Sequence, residues 1–216
     1  METPDARVRL GEAEVRLLGT IAGFAPDGER VQEALQERVD CVALGIPPED
    51  VEALGQLADD PGLVSDLPEP DEWTERLMEH LSRWGETRIP SPDLAAALAG
   101  ARRWGAAVEA LDLDDDAHTE AHTTRLKMRH LVRMNFARNR MLKEPFDAPG
   151  PYDLAAAWDA REHGIAPLRA IQEAREAHMA ERLTALGREH LRILAVVPAP
   201  RFAGVLVRLQ QAARPV

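Results

Sequence analysis

Two stretches near opposite ends of the chain share one pattern, and that pattern limits the fold more than any other feature. Residues 14–20, Glu14-Val-Arg-Leu-Leu-Gly-Thr20, are a short apolar run, followed by a turn over 21–26 and a helical spacing over 27–35. Residues 191–197, Leu191-Arg-Ile-Leu-Ala-Val-Val197, repeat the arrangement, with Pro198-Ala199-Pro200 as the turn and 201–209 as the helix. Each stretch reads as an apolar strand, a tight turn and a helix, the repeating unit of an α/β sheet. In open α/β sheets ligands bind in the loops leaving the carboxyl ends of the strands. Neither turn offers a His, a Cys or a close carboxylate pair.

Between these ends, strand and helix signals alternate. Residues 1–13 are polar and predict a loose or edge segment. Asp27 is placed to cap a helix running to about residue 38. Asp40-Cys-Val-Ala-Leu-Gly-Ile46 predicts a second buried strand and residues 106–112 a third. Helices are expected over 49–58, 71–84 and 94–104, with a loop at 61–70 and Gly105 in C-cap position. From 114 to 143 the spacing predicts one long helix, then a break at 145–151, then helices over 152–163 and 166–190, and after the last strand and helix a tail at 214–216. The expected fold is therefore α/β: a small, mainly parallel sheet of about four or more strands flanked by helices. A helical insertion at 114–190 precedes the last strand, all within a single domain over 1–216.

Composition narrows the function classes. The net charge of -11 argues against general nucleic-acid affinity over the whole surface. The single cysteine, Cys41, sits in an apolar run, so a buried inert thiol is expected and no disulfide can form within the chain. No basic-then-apolar leader opens the sequence, and no apolar run reaches the roughly 20 residues of a membrane span. A soluble, cytoplasmic protein with no membrane partner is the expectation.

The motifs at the two ends, with two between them, resemble the TraB/PrgY family, related to the Tiki and erythromycin-esterase/ChaN group. The resemblance rests on Leu17-Leu18-Gly19-Thr20-Ile21-Ala22, on Asp40 to Ile46, on Glu173-Ala-Arg175 through Met179-Ala180-Glu-Arg-Leu183, and on Ala195-Val-Val-Pro-Ala-Pro-Arg201-Phe-Ala-Gly204. It implies the α/β frame described above. It also implies His and Glu groups thought, in the Tiki-type members, to hold a divalent metal and activate water. Here the first-turn His of the family falls on Ala22, the second-strand Glu on Gly45, and the last-turn Gly-His on Pro200-Arg201. Ala, Gly and Pro bring no donor side chain, and an arginine repels a cation. Arg175 and Glu173 remain in place. The resemblance thus implies a member that has kept the fold and lost the metal site.

Three other groups carry candidate chemistry. Asp112, Asp114, His118 and His122 follow the third strand; the two histidines, four apart, share a helix face and with the aspartates could take a divalent metal. The order is His-x-Glu-x-His rather than the zincin pattern, and the aspartates also serve as helix caps. Arg175 and Arg201, with Glu173 and Thr20, are candidate ligand-binding residues for a carboxylate or phosphate, near Arg16 or Arg7; the alternative is an ion pair of Arg175 with Glu173 or Asp40. The third group is electrostatic. Residues 49–86 hold twelve acids against Arg76 and Arg83, whereas 121–143 holds no acid and seven cations. Arg125, Arg129, Arg133 and Arg140 in that segment are candidates for binding an anion or nucleic acid, or for pairing with the acidic segment within the chain or across a dimer.

The sequence therefore predicts a catalytically degenerate TraB-like protein that acts by binding or regulation as a homodimer. No cofactor is expected, and the enzyme reading leans to no. The alternatives are a metal-dependent hydrolase with its site moved to Asp112–His122, and an anion or nucleic-acid binder using the basic helix.

Overall fold

The computed structural model describes residues 3–143 and 146–213, leaving aside the side chains of Pro61 and Asp66. The expected tail at 214–216 lies outside the described residues, as does Pro145 at the start of the expected break. The chain opens with two strands, β1 (Asp5–Leu10) and β2 (Ala13–Thr20), joined by a two-residue turn. Gly11 there has φ 62°, which a glycine adopts without strain. Next come α1 (Ala25–Ala34), β3 (Cys41–Leu44) and α2 (Pro48–Asp59). A 3₁₀ turn (Pro61–Asp66), α3 (Glu72–Leu81), α4 (Pro92–Trp104) and β4 (Ala107–Ala110) follow. The remainder is α5 (Asp115–Arg125), α6 (Met128–Met141), α7 (Pro151–Glu162), α8 (Ala166–Leu186), β5 (Arg192–Pro198) and α9 (Ala199–Ala212).

The strands form one sheet in the order β1-β2-β5-β3-β4. β5 lies between β2 and β3 and is parallel to both, and β3 is parallel to β4. Only β1 runs antiparallel, against β2. The two sequence motifs are thus neighbours: Leu18 pairs with Val196 and Thr20 with Pro198. Of the two expectations for the polar first segment, the edge one holds: 5–10 is an edge strand.

Alternation along β5 explains why its sequence is apolar throughout. Ile193, Ala195 and Val197 pack with Met179, Leu183, Val205 and Leu209 of α8 and α9. Leu194 and Val196 point to the other face, against Val31, Ala34, Ala97 and Ala101 of α1 and α4. Cys41 is fully buried, and burial pushes its thiol up to about 12, as expected of an inert core group. A third apolar cluster lies over the carboxyl end of β2. It joins Ile21 and Phe24 to Trp73 of α3, Phe146, and Leu154 and Trp158 of α7. Among the described residues no helix is long and apolar enough to cross a membrane.

The expected single helix over 114–143 is two helices. Leu126 is extended (φ -94°, ψ 132°) and packs against Ala121, Leu168 and Ile171, so the chain turns to bury it. Gly105 ends α4 with φ 61°, as its C-cap position predicted. The 61–70 loop contains the 3₁₀ turn, and Asp27 lies inside the first turn of α1 rather than at its cap.

Candidate functional site

At the carboxyl end of β2, Thr20 donates its hydroxyl to Asp93 Oδ2 at 2.5 Å, and Ser91 bonds the other oxygen of the same carboxylate. Gly23 N–H in turn donates to Ser91 Oγ at 2.7 Å. Beside this lies Asp27, fully buried. It accepts from Ile21 N at 2.7 Å, from Arg30 at 2.6 Å and from the Tyr152 hydroxyl at 2.5 Å. Burial raises the Asp93 carboxyl, and the hydrogen bonds from Ser91 and Thr20 offset only part of that. Burial and the Asp27 carboxylate together raise the Tyr152 phenol. This network ties the first turn to α4 and α7. From sequence Asp27 is placed only as a helix cap, and Asp93 stands just before the helix expected over 94–104; nothing local to either shows that the two lie side by side from 66 positions apart.

At the end of β3, Gly45 lies where a Cβ would stand 2.8 Å from Pro198 Cδ and 2.9 Å from Val197 Cα. The space that a second-strand Glu would need is filled by the end of β5. Three residues further on, Arg201, 6% exposed, bonds Asp159 of α7 and, at 3.2 Å, Glu176 of α8. Arg208 reaches the other Glu176 oxygen at 3.2 Å. Burial pushes the Asp159 carboxyl up, but His163 and Arg201 together hold it below the usual range. Burial raises Glu176 in spite of its two arginines. Gly204 lets α9 approach: a Cβ there would fall on the Glu176 carboxylate.

At the end of β4, Asp112, 4% exposed, is held by Arg175. The Nε group stands 3.0 and 3.1 Å from the two carboxylate oxygens, and Nη2 bonds Oδ2 as well. Arg175 Nη1 donates to Gln172 Oε1 at 2.8 Å. The partner of Arg175 is therefore Asp112, not the Glu173 or Asp40 expected from sequence. Asp114 caps α5, accepting from Ala117 N at 2.8 Å. His118 and His122 do share a face, with ring centroids 4.2 Å apart. His122 Nδ1 bonds the His118 carbonyl at 2.9 Å, and burial, then His122 and Arg175, lower the His118 pKa. Of the four expected metal ligands, the two aspartates are engaged elsewhere. Among the described residues no group of three or more His, Cys, Asp or Glu side chains is placed to share an ion.

The expected ligand-binding set is likewise dispersed. Thr20 belongs to the Asp93 network, Arg175 to Asp112 and Arg201 to α7 and α8. Glu173 is exposed on α8, and its carbonyl accepts from Arg208. Arg7 and Arg16 lie at the opposite edge of the sheet. There they line a cleft of about 330 Å³ but are held by Glu14, Glu37 and Asp5. A cleft of about 370 Å³ at the end of β5 is bordered by Asp159, His163, Arg169, Gln172, Glu176 and Arg201. Asp159, Glu176 and Arg201 in its walls are paired with one another, whereas Arg169 donates to the Gly164 carbonyl at 3.1 Å and Glu173 is exposed at its rim.

The basic segment has another character. Arg125, at the end of α5, and Arg129, Arg133 and Arg140 on α6 are all exposed. Arg138 links α6 to the acidic segment, pairing with Asp71 at 2.6 Å and lying over the Trp73 ring at 5.0 Å. No family model matches the chain, and no characterised protein matches it by sequence.

Proposed function

We propose that this chain acts by binding rather than by catalysis, as a degenerate TraB-like protein that associates with itself. The observation that carries the reading is the closure of charge at the carboxyl ends of the strands. A general acid or base must reach the proton it moves. A metal ligand must offer a free lone pair. Asp27, Asp93, Asp112, Asp159 and Glu176 instead face partners within the chain, and four of the five are held in part by arginine or tyrosine. Gly45, packed on Pro198, leaves no room for the carboxylate that the resembled family places there.

The test is elemental analysis of the purified chain after dialysis against Mn²⁺, Co²⁺ and Zn²⁺. The expected result is no stoichiometric metal. About one ion per chain, lost in His118→Ala and His122→Ala together with hydrolysis of an ester or peptide panel, would overturn the reading in favour of a hydrolase at Asp112–His122. The second reading, an anion or nucleic-acid binder, is supported by the exposed arginines of α6. It predicts retention on duplex DNA that falls steeply with salt.

A further inference from the structure

The outer face of α6 combines two properties that rarely share a solvent-facing helix. Met128, Val132 and Phe136, at four-residue spacing, form an apolar ridge that is 74%, 50% and 72% exposed. Arg129 and Arg133 run alongside it as a cationic strip, and the stretch 121–143 holds no acid to neutralise them. Neither Arg129 nor Arg133 takes part in an ion pair among the described residues. The helix does not stand alone. Its inner face packs through Met134, and Arg138 fixes it to α3. An apolar ridge left in water beside unneutralised charge is the composition of an interface, not of a solvated surface.

A matching surface occurs on the same molecule. The 3₁₀ turn exposes Leu63 and Val64. Exposed acids lie on either side of it, among them Glu69 before α3 and Asp59 at the end of α2, which also pairs at the surface with Arg102 of α4 at 2.8 Å. Two α6 helices laid antiparallel would bring their arginine strips together, because like flanks then face each other. The ridge therefore needs a partner that supplies both apolar side chains and acids. Because one chain carries both halves, a two-fold pair would satisfy both at once.

We infer that α6 of one copy docks on the acidic 3₁₀ region of a second copy, and the reverse, to form a two-fold homodimer. This rests on the self-association part of the reading above. The ridge of Met128, Val132 and Phe136 covers Leu63 and Val64 of the second copy, and Arg129 and Arg133 face its Asp59 and Glu69. Charge complementarity sets the register, and screening weakens it.

The experiment is sedimentation velocity on the full chain and two charge-reversed forms, Arg129→Glu with Arg133→Glu and Asp59→Arg with Glu69→Arg. The wild type is expected to be a reversible dimer that weakens at least tenfold as salt is raised. Each reversed form alone is expected to sediment as a folded monomer. An equimolar mixture of the two is expected to dimerise, because each basic surface then meets an acidic one; a misfolded form could not rescue its partner. A wild-type dimer that both reversed forms retain would keep self-association and remove this surface. A wild type that stays monomeric would overturn both, and binding of that monomer to duplex DNA or to anionic vesicles would give α6 to a polyanion instead. A mixture that stays monomeric would also overturn the proposal.

Discussion

Gly45 shows how a single residue can set the approach of two strands. It follows β3, and its missing side chain is what allows Val197 and Pro198 of β5 to approach. Two of the nearest atoms to a Cβ there are backbone, so relief would require the strands to move, not a side chain to turn. Overpacking of this kind destabilises by about 1–3 kcal/mol. Gly45→Ala is therefore expected to lower the urea midpoint at unchanged slope, with a larger fall for Gly45→Glu. An unchanged midpoint would show that the strand ends part freely and that nothing in the packing excludes a glutamate. At this scale the sequence was only partly legible. That Gly45, Ala22 and Pro200 lack donors is read directly from the chain. That Asp27 and Asp93 are buried partners of Tyr152 and Thr20 is not, because each looks locally like an ordinary first-turn carboxylate.

At the scale of elements, α3 is held over the carboxyl end of the sheet by a histidine without a full set of partners. His80 is buried, with its ring 5.7 Å from Phe146 and 6.1 Å from Trp158. Arg83 lies 3.1 Å from its Nδ1, while Nε2 has no hydrogen-bond partner among the described residues. Burial lowers its pKa; the arginines at 76 and 83 lower it further, and Glu79 opposes them. The unfolded chain takes up this proton near pH 6.5, whereas the folded chain resists it until a lower pH. Below about pH 6.5 the unfolded state therefore binds more protons, and stability falls with pH until the folded histidine also titrates. His80→Leu is expected to flatten this slope when urea unfolding is followed between pH 7.5 and 5. Parallel curves for the two proteins would remove His80 as the cause. Elements were more legible than contacts: β2, β3, β5 and the C-cap at Gly105 follow from apolar runs and one glycine. The division between α5 and α6 was not legible, because no Gly or Pro marks it. It arises from the burial of Leu126 against α8, forty residues away in sequence.

For the whole molecule, charge placement has two opposing consequences that salt can separate. A net charge of -11 on one small chain repels itself and weakens the compact state. The neighbouring arginines of α6 and the acids of the α2–α3 region each add local repulsion of like charge. Screening relieves all of this, and the exposed ion pairs it also weakens are worth little, with a median of about 0–1 kcal/mol. An isolated chain is therefore expected to unfold at higher urea as sodium chloride is raised from about 0.05 to 0.5 M. Association through α6 adds a term of the opposite sign, because a dimer stabilises the fold by mass action and salt dissolves it. The urea midpoint should consequently rise with salt in dilute protein, yet rise less or fall in concentrated protein. The Arg129→Glu, Arg133→Glu form should show the dilute behaviour at both concentrations. A salt response that is the same at every concentration in the wild type would mean that the opposite charges of α6 and the α2–α3 region do not meet between copies.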